Sequence, residues 1–206
     1  MHVVTVASQK GGCSKTTIAT TLAVAAEQDG VRSAIFDLDP QASATFWHDT
    51  RGKETPGVAS IQAVRLPYVL KAAAAAGCQL AIVDTPPMSK DIAFDAVKPA
   101  DFVLIPARPT AFDLMAVMRT VELVRSSEKP FGVVLTQCPP RPAEVERART
   151  TLIRLGLDDI APSMGLRTAF SKAQEQGLAA QEIEPGGKAA DEVRRLYAFI
   201  RERLSV

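Results

Sequence analysis

The sequence predicts a single α/β domain: a mostly parallel, twisted, doubly wound sheet with helices on both faces. Three observations carry this. Strand-like runs alternate with helical patterns from end to end, and those runs are apolar on both sides, as strands buried in a parallel sheet must be. The chain has 206 residues with 47% apolar content, enough for one well-buried core and short for two. Residues 1–206 are therefore read as one domain without repeat or linker.

The first strand is expected near 2–7, where Val3-Val4-Thr5-Val6-Ala7 carries no charge. A glycine turn follows and opens a helix near 15–29. Ser33-Ala34-Ile35-Phe36 gives a strand near 32–37, and Val58–Val64 offers a further one. A helix near 66–77 contains the alanine run Ala72–Ala76, which suits close packing on a sheet. Buried strands are expected near 79–84, 101–105 and 131–136, with a helix near 111–127 between the last two. Pro139, Pro140 and Pro142 punctuate a turn before a helix near 142–155, Pro142 suiting its first turn. Asp159–Ser163 reads as an edge strand. The last helix, near 188–204, sets Val193, Leu196, Tyr197, Ile200 and Leu204 on one face, a stripe of ordinary width that suits docking on the core better than lying on a bilayer.

Formal net charge is +1 and no basic tail announces nucleic acid. Cys13, Cys78 and Cys138 are odd in number and widely spaced, which fits reduced thiols and no metal-ligand cluster. The longest apolar stretches are strand-length or interrupted, and Met1-His2 leads straight into a strand, so a cytoplasmic protein without membrane span or signal peptide is expected. His2 and Trp47 are read as packing residues, and His48 has no assigned role.

Gln9-Lys10-Gly11-Gly12-Cys13-Ser14-Lys15-Thr16-Thr17 links the first strand to the first helix. The backbone N–H groups of such a turn, backed by the helix dipole, form a concave anion site for a polyphosphate. Lys15 is placed to reach the β- and γ-phosphates and Thr16 to ligate Mg2+, as in a P-loop. Gln9 and Ser14 stand where the strict motif wants glycine. A serine forced to positive φ would cost about 1–2 kcal/mol, so a negative φ is expected at Ser14. Two strands then end in carboxylates, at Asp37-Leu38-Asp39-Pro40-Gln41 and Val83-Asp84-Thr85-Pro86-Pro87, where a doubly wound sheet presents its ligand groups.

Lys10-Gly11-Gly12-x-x-Lys15-Thr16-Thr17, Asp37-x-Asp39-Pro40-Gln41 and Val83-Asp84-Thr85-Pro86-Pro87 resemble the three nucleotide motifs of the ParA/MinD family of deviant Walker ATPases. Val103–Thr110 resembles that family's strand and interface loop, and Gly165–Ala173 its late helix start, so the resemblance runs from residue 1 to about 204. It is nearest to small ParA partition proteins. The resemblance implies a P-loop fold, ATP and Mg2+ as ligands, and a loop of Lys10, Gly11, Gly12, Cys13, Ser14, Lys15, Thr16 and Thr17 around the phosphates. Lys10 would cross a dimer interface to the partner's phosphates, Asp39 would position or activate the attacking water, and Thr16, Asp37 and Asp84 would serve the metal. The roles of Asp37 and Asp39 are interchangeable on sequence. The family's usual adenine-side asparagine has no counterpart, and Thr136 and Gln137 stand in its place.

The same resemblance implies an ATP-dependent homodimer that binds DNA without sequence preference. Arg167, Lys172, Arg194 and Arg195, with Arg201 and Arg203 nearby, are the candidate contacts, and hydrolysis would be stimulated by a ParB-type adaptor or another cargo-bound activator. The cargo would be a plasmid or chromosome, or else a protein assembly such as a carboxysome or chemoreceptor cluster. A membrane-associated, MinD-like regulator is the reading from a different class. An iron-protein-type reductase is disfavoured, since no cysteine pair is spaced to bridge a cluster across a dimer.

Overall fold

The computed structural model describes residues 1–87 and 90–205. In chain order its elements are β1 (His2–Val6), α1 (Lys15–Gln28), β2 (Ser33–Asp37), α2 (Ser43–Arg51), β3 (Gly57–Ser60), α3 (Leu66–Ala75), β4 (Leu80–Asp84), α4 (Lys90–Val97), β5 (Phe102–Ala107), α5 (Ala111–Ser126), β6 (Phe131–Leu135), α6 (Pro142–Arg154), β7 (Ile160–Ala161), α7 (Thr168–Glu175), α8 (Ala180–Ile183) and α9 (Lys188–Leu204). The strands form one sheet in the order β3-β2-β4-β1-β5-β6-β7, and every pairing is parallel.

Alternate residues of each strand serve opposite faces. Val4, Val6, Ile35, Ile82, Leu104 and Val134 pack under α1 and α9, while Val3, Phe36, Ala81 and Val83 meet Leu66 and Leu70 of α3 on the other side. Val103, Ile105, Val133 and Leu135 continue that second face beneath α5 and α6. Both faces are thus buried, which is why the strands read as unbroken apolar runs. The α9 stripe is spent on this core: Val193, Leu196 and Ile200 are buried against α1 and the sheet, each worth about 1.5–3 kcal/mol, and Phe199 meets Phe102 edge-on at 6.1 Å.

Register decides where the site lies. Asp84 at the end of β4 is level with Val6 of β1 on one side and Asp37 of β2 on the other. Two carboxylates and the start of the first loop therefore meet at the carboxyl edge of the sheet, beside the central strand.

The short elements depart from the sequence reading. The 58–64 run supplies only three of the four residues of β3, and the 159–163 run only the two of β7. Helix α2 carries no sequence signature of its own start: Ala42 precedes it in a left-handed conformation, and the first-turn N–H groups of Ala44 and Thr45 are met instead by the Asp37 carboxylate from β2. His2 is a second correction. Its side chain is half-exposed beside Asp101, with 3.9 Å between Nδ1 and Oδ2, rather than packed. Trp47 is buried and its Nε1–H donates to the Leu178 carbonyl at 3.0 Å.

Candidate functional site

The loop between β1 and α1 turns back on itself through two left-handed residues, Gly12 at φ 69° and Ser14 at φ 71°. The negative φ expected for Ser14 is therefore wrong. A side chain occupies a conformation that glycine adopts freely, and neighbouring groups must offset the strain. Ser14 also caps α1 without a side-chain hydrogen bond, so the free N–H groups of the first turn stay available to an anion.

The loop is tied from behind. The Thr136 hydroxyl, at the end of β6, donates to the Cys13 carbonyl at 3.2 Å, and Gln137 Nε2 donates to the Gly12 carbonyl at 2.7 Å and to Ser14 Oγ at 3.0 Å. The Lys10 carbonyl accepts from Cys13 Sγ at 3.2 Å and from Lys15 Nζ at 3.1 Å. Because a trans peptide holds its C=O and N–H antiparallel, anchoring the carbonyls of Lys10, Gly12 and Cys13 turns the N–H groups of Gly11, Cys13 and Ser14 the opposite way.

In front of the loop lies a cleft of about 700 Å3 lined by Gly11, Gly12, Ser14, Lys15, Thr16, Thr17 and Asp39 from the expected set. Gln41, Ser43, Phe46, Trp47, Pro87, Gln174 and Glu175 complete it. A second hollow of about 330 Å3 adjoins it at Ser14 and Thr17 and is bounded by Thr136, Gln137, Arg167 and Phe170. The sequence gives no cue to Phe46 or Gln174, since α2 is unmarked and α7 was marked only at its start.

At the foot of the cleft Thr16 Oγ1 donates to Asp84 Oδ2 at 2.6 Å. The other oxygen, Asp84 Oδ1, is buried without a hydrogen-bond partner among the described residues. Burial pushes the Asp84 carboxyl up to about 7; the Thr16 bond and Lys15 act against this, and the charges of Asp37 and Asp39 add to it. Asp37 is also raised, by burial, but three backbone N–H groups oppose that: Asp39 on Oδ1 at 3.0 Å, and Ala44 and Thr45 on Oδ2 at 3.0 and 3.3 Å. Both Asp37 oxygens are thus spent on the turn into α2. Asp39, half-exposed, accepts from the Gln41 N–H at 3.0 Å and reaches the cleft.

Residues 4–180 match the family profile of the CobQ/CobB/MinD/ParA nucleotide binding domain. The chain belongs to that family. Among family members, the "Maintenance of carboxysome distribution protein A" of Halothiobacillus neapolitanus is 31% identical over 207 residues, covering 93% of this chain and 92% of that protein. "Protein ParA" of Rhizobium radiobacter is 30% identical over 202 residues, covering 92% and 90%. The septum site-determining protein MinD of Pyrococcus horikoshii, solved with Mg-ADP, superposes with a TM-score of 0.78 at 17% identity, over 97% of this chain and 95% of that one. The fold is thus the nucleotide-binding fold of the ParA/MinD family.

The basic residues expected at a DNA surface are mostly paired within this fold. Arg167 binds Glu192 through Nε and Nη2 at 2.9 and 2.5 Å, Arg201 binds Asp29 at 2.6 Å, and Arg203 binds Asp159 at 2.6 Å. Arg194 and Arg195 share one carboxylate, Asp191, at 3.7 and 3.1 Å, and Lys172 is exposed on α7. Among the described residues no helix is long and apolar enough to cross a membrane.

Proposed function

We propose that this chain hydrolyses ATP, dimerises around two bound nucleotides, holds non-specific DNA in that state, and uses the cycle to position a cargo. The observation that carries the reading is the convergence of a tethered phosphate loop, Lys15 and Thr16 on one open cleft, with Asp84 buried behind Thr16, in a chain of the ParA/MinD family.

The loop N–H groups and Lys15 bind the triphosphate, and Lys15 exchanges the Lys10 carbonyl for phosphate oxygen. Thr17, one residue further along α1, faces the α-phosphate side. The residues fit Mg2+, because Asp84 Oδ1 is a buried oxygen without a partner among the described residues, beside a hydroxyl that can turn from donor to ligand. Thr16 and Asp84 would hold the ion, with the charge of Asp37 behind them. Such an ion would supply positive charge against the phosphate oxygens. Asp39, with one oxygen on the Gln41 N–H, orients the water that attacks the γ-phosphorus, and the ADP oxygen leaves. Lys10 of each chain supplies charge to the other's phosphates, in the way an arginine finger does. Thr136 and Gln137, at the second hollow, mark the side on which adenine lies.

DNA retention rests on Lys172 and on Arg194 and Arg195, whose two guanidinium groups are only half neutralised by Asp191. One chain offers few phosphate contacts, and a dimer doubles them; each phosphate neutralised adds about 0.9 to the salt slope, so affinity switches with nucleotide state. A ParB-type adaptor or another cargo-bound activator would speed hydrolysis and release. Protein cargo and DNA cargo stand level, since one relative is named for carboxysome distribution and another is named ParA at nearly equal identity. The MinD-like membrane reading is weaker because the α9 stripe is already buried in the core. Isothermal titration with ATP and Mg2+ tests the binding step, and absence of uptake overturns it. Whether neighbouring genes encode a DNA-binding adaptor or a component of a protein assembly separates the two cargo classes.

A further inference from the structure

We propose that Gln137 is a positioning residue for the phosphate loop, a clamp that holds Ser14 in its left-handed conformation, rather than a reader of the base. This rests on the nucleotide-binding reading of the cleft and deepens it.

Three features of this chain meet at one point. Ser14 has φ 71°, where a serine side chain is disfavoured. Gln137 is itself left-handed, at φ 50°, which turns its side chain back across the sheet edge from β6 to α1, 123 residues away in sequence. The single Nε2 group then uses its two protons on two acceptors of the loop, the Gly12 carbonyl at 2.7 Å and Ser14 Oγ at 3.0 Å. An amide that donates twice into the loop is oriented by the loop, and the loop by it. The Ser14 hydroxyl, which would otherwise have no role in a position suited to glycine, becomes the acceptor that fixes the strained residue. The Gly12 bond fixes the following peptide plane and so the direction of the Cys13 N–H. The Thr136 bond to the Cys13 carbonyl does the same for the Ser14 N–H, so the β6 end as a unit sets the donors that face a phosphate.

A clamp and a base reader predict different losses. Gln137→Met keeps the length and volume of the side chain and removes the donor. If Gln137 acts through the loop, this variant loses about tenfold in affinity for inorganic tripolyphosphate and for a non-hydrolysable ATP analogue alike, the scale of one or two neutral hydrogen bonds. Loss for the ATP analogue alone, with tripolyphosphate unchanged, overturns the clamp and makes Gln137 a base contact. No loss for either ligand overturns it as well, and leaves the nucleotide reading intact. A wild-type protein that takes up neither ligand overturns both. Ser14→Gly supplies the second arm, because glycine adopts positive φ unaided. In that background the Gln137→Met loss should shrink to about threefold or less, whereas an undiminished tenfold loss contradicts the coupling. Gln137→Asn, which tolerates the left-handed backbone but is one methylene short of both acceptors, should behave as Gln137→Met does and remains available if the methionine variant fails to fold.

Discussion

Asp84→Asn should make the nucleotide-free protein more stable while abolishing its use of Mg2+, and the gain should depend on pH. In the folded chain the Asp84 carboxyl titrates at about 7, against 3.8 for an ordinary aspartate. Below pH 3.8 both folded and unfolded chains hold the proton. Between 3.8 and 7 the unfolded chain releases it and the folded chain keeps it, so each pH unit removes about 1.4 kcal/mol of stability. Above 7 the whole penalty persists, up to about 4 kcal/mol. Asparagine keeps an oxygen for the Thr16 hydroxyl and has no charge to bury. At pH 8 in EDTA the variant should therefore gain about 2–4 kcal/mol, or roughly 5–15 °C in melting midpoint for a chain of this size. At pH 5 the gain should fall to about 1–2 kcal/mol, since wild type is then largely neutral at this position. Paired thermal melts at the two pH values check this. A gain of equal size at both, or a loss at pH 8, would show that Asp84 is not held under electrostatic strain.

Lys15→Ala should raise the Kd for ATP by at least about 100-fold, the loss of charge-assisted bonds to phosphate, as read by calorimetry. Lys10→Ala should still bind ATP yet form no hydrolytic dimer, whereas Asp39→Ala should leave a persistent ATP dimer; turnover and gel filtration separate the two. Gly177→Ala should destabilise by about 2–5 kcal/mol in urea melts, because Gly177 has φ 65° and an added Cβ would lie 2.2 Å from the Arg51 backbone nitrogen. For DNA the informative change is Lys172→Glu, which should weaken gel-shift retention about tenfold and lower the salt slope without altering nucleotide Kd. Arg167→Glu is a poor substitute, since it strands the buried Glu192 carboxylate and perturbs the fold.

The central strands and long helices were legible because burial on both faces leaves unbroken apolar runs, as in Leu80-Ala81-Ile82-Val83, and because Pro142 marks its helix start as the first residue of α6. The loop and both strand-end aspartates were legible as motifs. What escaped was set by contacts distant in sequence. Helix α2 is capped by Asp37 from the preceding strand, so no local residue announces it. Ser14 takes a positive φ in company with Gln137, a partner invisible from position 14. The charges of Arg167, Arg201 and Arg203 looked free in sequence, yet each meets a carboxylate from a separate part of the chain.

The proposed cycle turns on one event, the joining of two chains by a bound triphosphate. Light scattering on the purified protein with Mg2+ and a saturating non-hydrolysable ATP analogue measures it directly. The mass should double on adding the analogue and return to that of a single chain with ADP, with Lys15→Ala staying single throughout. A mass that does not change between analogue and ADP would contradict the account.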